Sequence, residues 1–220
     1  MAYWHTGAPN GGDEFGWMGR TADVMRSKQA EDMIINVGST QSLAVKSAIH
    51  TPLVFDDPMR FQRSYWMNQV DFSSSEEPSY KSSNHEFLKA VDVSAKSSAR
   101  RIRKAWSDYE TNVDYGIVPM DLPKVASCID AGLETQLYHV SFRNNAFDTH
   151  VQQPNLHRRL LSYASDAIFG FVNDLQRLGH ADRVLVMVYS EFGRRVPENA
   201  NLGTDHGSAN NMFFIGNRVN

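Results

Sequence analysis

The sequence predicts a mixed α/β protein built on a doubly wound, mostly parallel sheet covered by helices. Three observations carry that prediction. Helical and extended patterns alternate regularly from residue 121 onward, the extended runs are short and apolar, and the clearest helix stops at a glycine just ahead of one of them. The 220 residues are enough to enclose one substantial core.

The elements follow in order. Residues 15–27 (FGWMGRTADVMRS) read as a short helix, and MIINVG at 33–38 as a compact strand closed by Gly38. TPLVFDDP at 51–58 is extended, with Pro52 and Pro58 confining it to an edge or a loop. The polar, serine-rich stretch SSSEEPSYKSSN at 73–84 reads as a surface loop. From about Asn84 to Tyr109, apolar residues including Phe87, Leu88, Val91, Ile102 and Trp106 recur at helical steps. The basic section SAKSSARRIRK within that helix reads as a solvated face.

DLPKVASCIDAGL predicts a helix entered through Asp121, with Pro123 in its first turn and Gly132 at its end. TQLYHVSF at 135–142 is a strand. In HRRLLSYASDAIFGFVNDLQRLG, Leu160, Leu161, Ala164, Ile168, Phe171, Val172, Leu175 and Leu178 line one helical face, and Gly179 supplies the stop. RVLVMVYS at 183–190 is apolar on both faces, as a central parallel strand would be, and NMFFIG at 211–216 is a further strand. The organisation expected is one domain over 1–220, incomplete at both ends. A helical, loop-rich region fills 1–120 and an α/β core fills 121–220.

Composition narrows the function. A formal charge of −3 argues against a protein that binds nucleic acid by bulk electrostatics. No apolar stretch approaches the roughly 20 residues of a membrane-spanning helix. A lone cysteine, Cys128, excludes an intrachain disulfide and a thiolate cluster, and its apolar helical setting makes it a core residue.

In open parallel sheets, ligands collect beyond the carboxyl ends of the strands. Three polar groups fall at such places: Asp148 and His150 in FDTHVQQ, Glu191 at the end of VLVMVYS, and Asp205 and His206 in GTDHG. Carboxylates and imidazoles without thiolate suit a divalent ion such as zinc or manganese. In an extended segment residues i and i+2 point the same way, so Asp148 and His150 can face one ion. Each residue also has a plainer reading. Asp148 suits a turn cap, His150 and His206 suit solvent-facing loops, and Glu191 suits a salt bridge to Arg194 or Arg195. Those two arginines equally suit an anionic group of a substrate, since guanidinium matches phosphate and sulfate geometry. His157 begins a helix and suits a cap. His5, His50, His85, His139 and His180 read as structural.

The series YWHTGAPNGGDEFGWMGR, FDTHVQQ and DRVLVMVYSEFGRRVPENANLGTDHG resembles the DUF1501 family, whose bacterial members, often from Planctomycetes, often carry an export signal. That family is similar to a branch of the alkaline phosphatase and sulfatase superfamily. The resemblance implies a three-layer α/β/α sandwich and a metal-dependent hydrolase of small phosphate or sulfate esters. It also implies an exported location and a divalent ion, zinc before others. Asp148, His150 and His206 would hold one metal, and Glu191 would be the acid of a second. Phe192 stands where the superfamily often has another histidine. The spacing of Asp148 and His150 is two where four is usual, so Gln152 or His157 would share the role. The nucleophile of the superfamily lies on a first strand, expected upstream of Met1. The rival expectation is a non-catalytic, surface-associated metal-binding module of the same fold.

Overall fold

A computed structural model of the chain describes residues 5–8, 14–25, 32–60, 83–142 and 145–219, with side chains in the long helix from residue 96 onward. It shows a mixed α/β protein. β1 (Ile34–Val37) is the centre of a three-stranded parallel sheet, between β2 (Leu53–Phe55) and β3 (Leu137–Val140). All four β1 side chains are buried. The alternation of a strand sends them to opposite faces. Ile35 and Val37 enter the main core with Phe55, Ile102, Val125 and Phe171, while Ile34 joins Met18, Ala22 and Val45 in a smaller one.

The helices cover these faces. α1 (Trp17–Met25) lays Met18 and Ala22 against the smaller core. α2 (Ser83–Asp108), α3 (Leu122–Asp130) and α4 (Gln153–Arg177) build the main one. Residues 73–82 of the expected surface loop lie outside the described residues, and 83–84 open α2. α3 starts where expected, but Asp121 does not cap it through its side chain. The residue sits in the left-handed region at φ 61°, and its carboxylate takes Lys124 Nζ at 2.7 Å instead. α4 ends as read, with Gly179 at φ 76°. Its buried face is shifted from the expected one. Leu161 is exposed, while Gly170 and Asp174 are buried.

Asp174 is the unexpected feature of α4. Burial pushes its carboxyl up, yet hydrogen bonds from Tyr109, Tyr115, Arg177 and Thr111 outweigh that and hold it below the usual carboxylate range. Tyr115 donates at 2.8 Å, Arg177 Nε at 2.8 Å and Thr111 at 3.0 Å, with Tyr109 alongside. The network ties the segment after α2 to the last turns of α4. Cys128 is buried as read, and burial pushes its thiol up to about 12.

The expected central strand at 183–190 is corrected. Only Val186–Val188 forms a strand, β4, and it is half-buried. Its partner is β7 (Phe213–Ile215) in an antiparallel pair, with Val186 opposite Ile215 and Val188 opposite Phe213. The expected single doubly wound sheet is therefore three separate pieces among the described residues, the third being β5 (Gly193–Arg194) against β6 (His206–Gly207). The physical reason is that apolarity on both faces reports a capacity for burial and names no partner. A cleft of about 1610 Å³ separates β3 from β4.

Candidate metal centre

The site is assembled by two loops stitched together. The first, residues 145–152, leads from β3 into α4, and the second, residues 195–205, links β5 to β6, whose first residue is His206. Asn199 organises the second loop. Its Oδ1 accepts from the backbone N–H groups of Asn201 at 2.9 Å and Gly203 at 3.0 Å. Its Nδ2 donates to His150 O and to Asp205 Oδ1, each at 3.1 Å. The backbone N–H groups of Gln152 and Gln153 donate to Asn201 O and Leu202 O, both at 2.9 Å. Gly203 is required here. A Cβ would stand 2.2 Å from His150 O, a distance no side chain tolerates.

Arg194 is the second stitch. Its guanidinium donates to Thr204 O at 2.5 Å and to Phe147 O at 2.6 Å, one carbonyl from each loop. Those two donations go to backbone carbonyls, and not to Glu191. Arg195 donates its backbone N–H to Asp205 O at 2.8 Å and carries an exposed side chain.

This stitching brings three predicted residues together. His150 Nε2 and His206 Nε2 each lie 2.8 Å from Asp148 Oδ1. One ligand atom from each of the three falls within 4.8 Å of the others. The hydrogen bond from His206, then that from His150, hold the Asp148 carboxyl below its usual range. His150 Nδ1 faces a second carboxylate, Asp205 Oδ1, at 3.5 Å. Asp205 is itself held low, by Asn199 first and His150 next. The second ring nitrogen of His150 is thus turned toward a carboxylate, the arrangement usual for metal-binding imidazoles.

The donor set fits a divalent ion. Two imidazole nitrogens and one carboxylate oxygen are ordinary zinc ligands, and a three-residue set leaves an open position. Ligand atoms about 2 Å from a tetrahedral ion stand roughly 3.3 Å apart, so the present 2.8 Å contacts need to open by about half an ångström. All three side chains are 32–40% exposed, so that movement meets no packed core.

Glu191, Gln152 and His157 are not in this group of three. Glu191 Oε2 accepts from His5 Nε2 at 3.0 Å. His5, read from sequence as structural, is the partner of Glu191 that local pattern missed. Its only signal was membership of the aromatic, glycine-rich N-terminal stretch. His157 Nδ1 contacts Thr149 Oγ1 at 3.2 Å, and burial and then Arg194 lower its pKa. Gln152 is exposed at φ 45°, in the turn before α4. Phe192 stacks on His206 with ring centroids 4.1 Å apart and planes at 16°, while Arg194 lies 5.2 Å from the same ring. Phe192 is therefore a plate that fixes the His206 ring. His139 sits deeper, with Nδ1 at 3.1 Å from Asn36 Oδ1, and burial followed by the nearby His5 push it down to about 4.

No curated protein and no solved structure matches the chain. A family model described as "Protein of unknown function (DUF1501)" matches residues 3–220. The chain belongs to the DUF1501 family.

Proposed function

We propose that Asp148, His150 and His206 bind one divalent metal ion, zinc before others, in a hydrolase of small phosphate or sulfate esters. The single observation that carries the reading is the meeting of three ligand atoms within 4.8 Å, drawn from two loops 58 residues apart in sequence. When bound, the ion supplies Lewis acidity to an ester oxygen and lowers the pKa of an attacking group. The chain's own residues do the rest. Asp205 orients His150, Phe192 fixes the ring plane of His206, and Arg194 holds the two loops at the separation the triad needs. Arg195, exposed beside Asp205, is the guanidinium left to meet an anionic ester.

The test is zinc titration by calorimetry together with assays on aryl phosphate and aryl sulfate esters. Stoichiometric zinc binding lost in Asp148→Ala and His206→Ala, with ester cleavage lost in parallel, supports the proposal. Absence of zinc binding in the unaltered chain overturns it.

A second reading is favoured by one observation. Glu191, the residue implied for a second metal, is engaged by His5, and the position after it is an aromatic ring. On that reading the chain is a metal-binding module without chemistry. Zinc binding with no cleavage across the ester panel selects it.

A further inference from the structure

Two residues in the loops of the metal centre hold a backbone conformation that their side chains oppose. Among the described residues five non-glycine residues have positive φ, and three of them, Asn145, Gln152 and Leu202, lie in these two loops. Asparagine tolerates the left-handed region. Glutamine and leucine do not, because their Cβ crowds the following carbonyl oxygen and no short polar group compensates. Gln152 stands at φ 45° and ψ 41°, and Leu202 at φ 58°. Neither side chain explains this. Gln152 precedes α4 but makes no side-chain capping bond and is exposed, and Leu202 is 55% exposed.

The backbone does explain it. The two residues meet at the seam between the loops, where Gln152 N–H donates to Asn201 O and Gln153 N–H to Leu202 O. Leu202 N–H turns back to Asn199 O at 3.2 Å, and Asn199 N–H donates to Gly203 O at 2.8 Å. Such a tight reversal uses a residue of positive φ. The ligands lie close by in the chain: His150 two residues before Gln152, and His206 four after Leu202. A Cβ on Gly203 would stand 2.2 Å from His150 O, and Asn199 Nδ2 donates to that same carbonyl at 3.1 Å. The turn at Leu202 is thus pressed against the backbone of one ligand and leads directly to the other. Strain of this kind persists only where the surrounding structure over-determines it, and it collects at sites that need a preset geometry.

We propose that Gln152 and Leu202 are positioning residues of the metal centre, which act through their left-handed backbone and not through their side chains. They hold the segments of His150 and His206 so that both imidazoles reach one oxygen of Asp148, the arrangement a shared divalent ion uses. The inference rests on the metal-binding reading above. It also distinguishes two roles for Gln152. A ligand would act through its amide side chain, whereas a pivot acts through φ alone and tolerates loss of that side chain.

The experiment replaces Gln152 and Leu202, one at a time, by Gly, Asn and Val in the 220-residue chain. Zinc affinity is measured by calorimetry and metal-free stability by thermal melting. Glycine enters the left-handed region freely, asparagine does so readily, and β-branched valine resists it most. The Gly and Asn variants are expected to bind zinc within about twofold of the unaltered chain, and the Val variants about tenfold or more weakly. The Gly variants are expected to melt no lower than the unaltered chain. Val variants that melt lower but bind zinc as before overturn the proposal, because the residues then serve the fold alone. Gly variants that lose zinc overturn it in favour of a side-chain role, and they decide the matter even where a Val variant does not fold. Equal zinc binding by every variant overturns this inference and leaves the metal reading standing. No zinc binding by the unaltered chain overturns both.

Discussion

Two aspartates, Asp174 and Asp148, show how the same side chain is used for stability and for a site. Asp174 is fully buried, and both of its oxygens are occupied, by Tyr109 and Tyr115 on one and by Thr111 and Arg177 on the other. Three of those four donors are hydroxyls, which titrate far from neutrality. Asp148 is a third exposed and places two titratable imidazoles on a single oxygen, while its other oxygen takes no hydrogen bond among the described residues. A saturated carboxylate holds elements together. One with a free oxygen beside two imidazoles has coordination capacity left to use.

The contrast predicts effects of different size. The largest belongs to Asp174. Asp174→Ala strands four donors and is expected to cost about 3–5 kcal/mol in urea unfolding. A loss below about 1 kcal/mol would break the comparison.

Next comes the matching contrast between buried and exposed histidines. His139 is pushed from 6.5 down to about 4, so between those pH values the unfolded chain takes up a proton that the folded chain refuses. Stability therefore falls as pH drops from 6.5 to 4, by about 3 kcal/mol at 1.36 kcal/mol per pH unit. His139→Leu is expected to flatten that part of the curve, and a curve unchanged by the substitution counts against the assignment.

Zinc gives the third effect. At a concentration 100-fold above the dissociation constant, binding is expected to add about 2.7 kcal/mol to stability. Asp148→Ala and His206→Ala are expected to lose that increment in thermal melts. The smallest effect sharpens the contrast further. Without zinc, Asp148→Asn is expected to change stability by no more than about 0.5 kcal/mol, because the amide oxygen still accepts from both imidazoles and partly exposed ion pairs contribute little. A metal-free loss as large as that of Asp174→Ala would make Asp148 a structural residue.

Much of the fold was legible in local pattern. The spans of α1, α3 and β1, and the glycine stop of α4, follow from periodicity and end signals. The placement of Asp148, His150 and His206 near strand ends was legible too, because residue type and position suffice for it. The destinations of Glu191 and Arg194 were not. Several partners of opposite or complementary character were available to each, and sequence spacing does not rank them. Asp174 was hidden for a related reason. An acid on a helix reads as solvent-facing unless the donors that surround it, supplied by residues 109–115, are known to arrive.

By itself, then, the sequence determined the helices, the places of β1 to β4 and β7, and which segments carry carboxylates and imidazoles, since those choices depend on neighbours within a few residues. Only the tertiary structure decided that β4 pairs with β7, that His5 meets Glu191 across nearly the whole chain, and that two imidazoles converge on one oxygen of Asp148. Those outcomes depend on loop closure and register between distant segments, and hydrophobic periodicity holds no information about which distant segment arrives.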